Sequence, residues 1–117
     1  MTMNRKLFAK GFRHGIPIGL GYLSVAFTFG MKAVADYVHS KGLKFGMYSC
    51  AGVRTCAGYP SSYDHEYVDA QTFADWGVDF LKYDFCNFPE TGDCKGRYLQ
   101  MSMALKATGR EILFSAC

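Results

Sequence analysis

The chain is predicted to be an α/β protein whose strands run parallel. Apolar residues at helical spacing alternate with short apolar runs along residues 30–117. Three glycines, Gly42, Gly77 and Gly109, each close a helical segment and lead directly into an apolar run. They are spaced 35 and 32 residues apart, the period of a repeated βα unit. The connections that follow the apolar runs are long and polar, while those that precede them are minimal. Such loops at the carboxyl ends of parallel strands are where a (β/α)8 barrel or a doubly wound sheet builds its active site. With 117 residues, half of them hydrophobic, the chain has material for one small domain with a modest core.

The elements follow in order. Met31, Val34, Ala35 and Val38 fall at i, i+3, i+4 and i+7, which predicts one face of a helix that Gly42 stops. Leu43 to Tyr48 is then a short strand. Asp69 to Trp76 forms a second helix, with Asp69 as its N-cap and Gly77 as its stop. Val78 to Asp84 is the second strand. Tyr98, Met101, Ser102 and Leu105 repeat the helical spacing up to Gly109, and Ile112 to Ser115 is the third strand.

The amino-terminal 29 residues read differently. Arg5, Lys6, Lys10 and Arg13 stand there without an acidic residue, whereas residues 30–117 hold nine Lys/Arg against ten Asp/Glu. The formal charge of +3 is therefore an end effect, which argues against a nucleic-acid-binding face. Gly15 to Met31 is uncharged and largely apolar, and its 17 residues sit at the lower edge of what spans a membrane. A membrane helix through residues 15–31, a removable leader and a buried segment of a soluble fold are the three readings.

Five cysteines, Cys50, Cys56, Cys86, Cys94 and Cys117, match no paired zinc spacing. Spacing alone leaves disulfides and free buried thiols equally open. Disulfides would place the chain in an oxidising compartment.

Chemistry concentrates in Leu81-Lys82-Tyr83-Asp84-Phe85-Cys86. Residues i and i+2 of a strand share a face, so Lys82 and Asp84 project together from the carboxyl end of a buried strand. A carboxylate beside an ammonium stays ionised and serves as a nucleophile; the plainer alternative is a surface ion pair. Tyr48 ends its own strand at the same level, where the alternative is core packing. Asp64-His65-Glu66 reads as a solvated turn and helix start, His39 as a helix-end charge, and Asp79 as a residue of the stabilising end of its strand.

Residues 30–117 resemble the melibiase family, glycoside hydrolase family 27. The resemblance rests on Met31 to Lys44, Gly46-Met47-Tyr48-Ser49, Thr55-Cys56-Ala57-Gly58-Tyr59-Pro60, Ala70 to Asp79 and Leu81-Lys82-Tyr83-Asp84. It implies part of a (β/α)8 barrel, about three βα units, from an enzyme that hydrolyses terminal α-galactosides with retention, an activity that needs neither metal nor organic cofactor. By motif position it implies Asp84 as nucleophile, Tyr48, Lys82 and Cys56 as sugar contacts, and a Cys56–Cys86 disulfide beside the pocket; Cys50, Cys94 and Cys117 are read as unpaired or incompletely paired thiols. The family's acid/base carboxylate belongs to a later strand, so little or no hydrolysis is expected of this chain alone. Met1 to about Met31 resembles instead the start of a branched-chain amino-acid export permease, which implies two unrelated coding pieces joined near Gly30-Met31-Lys32. The alternatives to the hydrolase fragment are accordingly a membrane piece of a permease or a non-catalytic sugar-binding remnant. An extracellular or membrane-associated location is the expectation.

Overall fold

The computed structural model describes residues 27–117. Most of the stretch read from sequence as permease-like, and most of the 15–31 segment read as a membrane span, lie outside them. Among the described residues no helix is long and apolar enough to cross a membrane.

The first helix, α1, is helical through residues 27–40. It is followed by β1 (Gly46–Cys50), α2 (Glu66–Trp76), β2 (Phe80–Asp84), α3 (Cys94–Ala107) and β3 (Leu113–Ala116). The three strands form one parallel sheet in the order β1-β2-β3. The predicted alternation of helices and parallel strands is thus present in full. The three glycine stops all adopt the left-handed conformation, at φ of 74°, 85° and 75°. At Gly77 that turn lets Val78 N–H reach the Phe73 carbonyl at 3.0 Å, and β2 begins three residues after the glycine, at Phe80.

Alternation along β2 separates two sheet faces. Leu81 and Tyr83 are fully buried against Ala70, Phe73 and Trp76 of α2 and Met101, Ala104 and Leu105 of α3. Met31 from α1 and Met47 from β1 pack on the same cluster. The opposite face carries Tyr48, Lys82, Asp84 and Leu113 and is free of helices among the described residues, with Leu113 68% exposed.

Several boundaries differ from the sequence reading. The strand expected from Leu43 begins at Gly46, because Leu43 N–H still bonds back to the Val38 carbonyl and Phe45 N–H is taken by the Asp79 carboxylate. Val34, expected on the buried face of α1, is exposed; Ala35 is the residue that is fully buried, flanked by half-buried Met31, Val38 and His39. The second helix starts at Glu66 with His65 at its N-cap, so Asp69 lies within the first turn and does not cap it. There its negative charge faces the positive end of the helix dipole.

At the foot of the sheet Asp79 ties its own segment to three others, the end of α1 and the connections that lead into β1 and β3. Its Oδ2 accepts from Phe45 N–H at 2.9 Å and lies 2.6 Å from His39 Nε2; its Oδ1 accepts from Arg110 at 2.9 Å. Arg110 also donates to the carbonyls of Gly77 and Val78. His39, read from sequence as a helix-end charge, is thereby tied into this network. Burial raises the Asp79 carboxyl pKa, but the Phe45 N–H, the His39 ring and Lys44 outweigh it, and the net shift is downward.

A depressed folded-state value means the stabilisation is present above the ordinary carboxylate range and is lost as pH falls through the folded value. Asp79→Asn is expected to lower unfolding free energy by about 2–3 kcal/mol at neutral pH. Urea denaturation followed by circular dichroism should show that cost shrinking as pH falls below about 4. A cost that stayed constant to acid pH would mean the charge of Asp79 is immaterial.

Candidate active site

The site lies at the opposite end of β2. In the parallel register Tyr48 stands beside Lys82, and Cys50 beside Asp84. The pairing continues past β1, since Ala51 N–H bonds to the Asp84 carbonyl at 2.9 Å and Val53 N–H to the Asn87 carbonyl at 3.2 Å. This brings the loop after β1 against the chain leaving β2. Gly52 sits where they touch, and a Cβ there would fall 1.7 Å from the Cys86 carbonyl oxygen. Only glycine fits so close an approach of two backbones.

Asp84 is three-quarters buried. Its Oδ2 accepts from the Tyr48 hydroxyl at 3.3 Å and pairs with Lys82 Nζ at 3.8 Å. The Tyr48 hydroxyl also lies 3.4 Å from Cys56 Sγ, and Lys82 Nζ sits 5.6 Å from the centre of the Tyr48 ring. Burial, and behind it the negative charge of Asp84, push the Tyr48 phenol above its ordinary value, against an opposing effect of Cys56. The phenol is therefore held as a proton donor at neutral pH. Tyr48 is 39% exposed, so it lines the open face and is no part of the core.

Cys56 and Cys86 form a disulfide with Cα atoms 5.1 Å apart. It ties the loop after β1 to the end of β2, beside the Asp84 carboxylate. Cys50, Cys94 and Cys117 are free. Cys50 is fully buried, where its Sγ accepts from Cys86 N–H at 3.1 Å and from Gly52 N–H at 3.4 Å.

Of Asp64-His65-Glu66, Asp64 and His65 form the exposed turn expected and Glu66 starts α2, but the Glu66 side chain is turned inward. Glu66 is 1% exposed and accepts from Arg97 of α3 at 3.0 Å, while Arg97 also reaches Asp64 at 2.7 Å and packs on the Tyr63 ring. These contacts fix the end of the β1–α2 loop onto α3. The sequence held a signal for this: Glu66 lies at i−4 from Ala70 and i−7 from Phe73, on the buried stripe of α2. The Gly52 contact had no such signal.

The arrangement presents one carboxylate, one ammonium, one phenol and a disulfide edge at the carboxyl ends of adjacent parallel strands. A carboxylate framed by hydrogen-bond donors is an arrangement that can serve as a nucleophile. The chain belongs to the melibiase family described as alpha galactosidase A, whose model matches residues 20–117. It is 54% identical over 91 residues to an α-galactosidase A of Cellvibrio japonicus, covering 78% of this chain and 22% of that protein. It is 51% identical over 89 residues to the human α-galactosidase A, covering 76% and 21%. Among solved structures, an α-galactosidase of Saccharomyces cerevisiae matches with a TM-score of 0.69 and 49% identity over 74% of this chain and 20% of its own. The chain thus spans about a fifth of the length of these relatives, and its three parallel strands correspond to part of their barrel.

Two substitutions test how the site is held. Replacing Cys56 and Cys86 by Ser is expected to cost about 3–4 kcal/mol, from the chain entropy of a loop with a separation of 30 residues. Gly52→Ala is expected to cost at least about 2 kcal/mol, since backbone must move to admit the methyl group. Urea denaturation measures both; a Gly52→Ala chain as stable as the parent would show that the approach is not tight.

Proposed function

We propose that this chain supplies the nucleophile side of a retaining α-galactosidase, with Asp84 as the attacking group. The observation that carries the reading is the Asp84 carboxylate, three-quarters buried at the end of β2 with the Tyr48 hydroxyl and Lys82 ammonium beside it. Membership of the family supports it, as do relatives that are α-galactosidases, one of them solved with raffinose. The substrate class is a terminal α-galactoside.

In this reaction Asp84 attacks the anomeric carbon and displaces the leaving oxygen, which takes a proton from a second carboxyl group. The resulting glycosyl ester on Asp84 is then hydrolysed, giving net retention. Lys82 and the Tyr48 phenol donate to sugar hydroxyls, and Cys56 walls the pocket. The same two donors steady a polar ring above the carboxylate. Retention requires the second carboxyl group about 5–5.5 Å from the first. Among the described residues the polar partners of the Asp84 side chain are Tyr48 and Lys82, with the disulfide sulfur of Cys56 lying 3.5 Å away. This chain by itself therefore turns over an aryl α-galactoside slowly or not at all.

The test is a chimera in which residues 30–117 replace the matching segment of the Cellvibrio japonicus relative. Hydrolysis of an aryl α-galactoside should persist, and a 2-fluoro-galactosyl fluoride should label Asp84, as read by peptide mass spectrometry. Asp84→Asn should lower kcat by about a thousandfold or more. A label on another residue, with Asp84→Asn still active, would overturn the reading. In the same chimera Tyr48→Phe should cost about tenfold in kcat/KM, the value of one hydrogen bond to a charged group.

A further inference from the structure

The sulfurs beside Asp84 have a second chemistry. Cys56 Sγ, Cys86 Sγ and an Asp84 carboxylate oxygen all lie within 4.8 Å of one another. The separation from Cys56 Sγ to Asp84 Oδ2 is 3.5 Å. Zinc-class bonds of about 2.3 Å to sulfur and about 2.0–2.2 Å to oxygen place neighbouring tetrahedral ligands about 3.5–4 Å apart. The Cys56–Asp84 separation meets that spacing, and the two sulfurs, bonded to each other, can reach it only once the bridge opens. Two sulfurs and a carboxylate are also the donor set that favours a soft or borderline divalent cation over magnesium or calcium.

While the disulfide is closed neither sulfur is a thiolate, and the set binds no cation. Opening it need not scatter the ligands. The backbones that carry them are joined independently of the bridge by Ala51 N–H to the Asp84 carbonyl, Val53 N–H to the Asn87 carbonyl, and Cys86 N–H to Cys50 Sγ. Cys56 is exposed, so a reductant has access to the bond.

We propose that reduction of the Cys56–Cys86 disulfide converts this end of β2 into a site for a zinc- or cadmium-class ion, held by both thiolates and the Asp84 carboxylate. A phosphine supplies the two electrons, taking oxygen from water to become the phosphine oxide and leaving two thiols. The incoming dication then displaces the two thiol protons, with water at the fourth position. Two thiolates and a carboxylate leave the filled site with one net negative charge, which Lys82, 3.8 Å from the carboxylate, partly offsets. The same residues thus serve as a closed bridge or as a metal site, and a bound ion occupies the carboxylate.

The test uses the full chain with Cys94→Ala and Cys117→Ala, reduced by a water-soluble phosphine that is then removed without air, and Cd2+ as the probe. One equivalent should bind with thiolate-to-cadmium ultraviolet absorption and release two protons. Asp84→Asn should weaken binding by at least about tenfold. Cys50→Ser, which keeps a hydrogen-bond acceptor at that place, should leave binding unchanged, and the oxidised chain should show no such absorption. The proposal fails if Asp84→Asn binds as tightly as the parent, or if the absorption survives Cys56→Ser with Cys86→Ser. If reduction alone removes the helical circular dichroism, its recovery with Cd2+ supports the proposal and its absence overturns it.

Discussion

Everything at the site depends on the parallel register between β1 and β2. Tyr48 stands beside Lys82 and Cys50 beside Asp84 because those residues are paired along the ladder. A slip of one residue would send Tyr48 toward the helices and remove the phenol from the carboxylate. The register is held at both ends by contacts outside the strands. Below, Asp79 takes Phe45 N–H and so fixes where β1 starts. Above, Ala51 and Val53 bond to Asp84 and Asn87, with Gly52 thin enough to let the two backbones meet.

Two aspartates bracket one short strand, Asp79 just before β2 and Asp84 at its end, and the proposed function gives them opposite duties. Asp79 enters the sheet surrounded by a histidine, an arginine and a backbone N–H, which use its oxygens and leave it little freedom. Asp84 leaves the sheet with a phenol and an ammonium on one side and the open sheet face before it. The division follows the general rule for parallel strands, stability at the amino ends and chemistry at the carboxyl ends. Glu66 and Arg97 add a third ion pair that holds a loop in place behind the site.

What the sequence disclosed was what repeats or what is short-range. The three glycine stops and the apolar runs behind them predicted the alternation, because each signal is local to a few residues. Lys82 and Asp84 could be placed on one face from strand periodicity alone. The errors arose where tertiary contacts redirect a local preference. Leu43 and Phe45 have strand-like character, yet their N–H groups are used by α1 and Asp79. Asp69 is a good capping residue, but the helix begins a turn earlier because Glu66 is drawn inward by Arg97. Val34 shares the spacing of its neighbours but falls outside the narrow strip of α1 that meets the core. The Gly52 approach depends on chain from another strand, and no pattern near residue 52 reports it.

The bridge between Cys56 and Cys86 has a topological consequence. It encloses α2 and β2, with Tyr63 and Lys82 among the points where a protease could cut. A single nick within that enclosed segment leaves both products covalently attached, and the hydrophobic contacts of Leu81 and Tyr83 stay available to hold them in register. Digestion would then pass unnoticed on a non-reducing gel and become visible only once the sulfurs are separated.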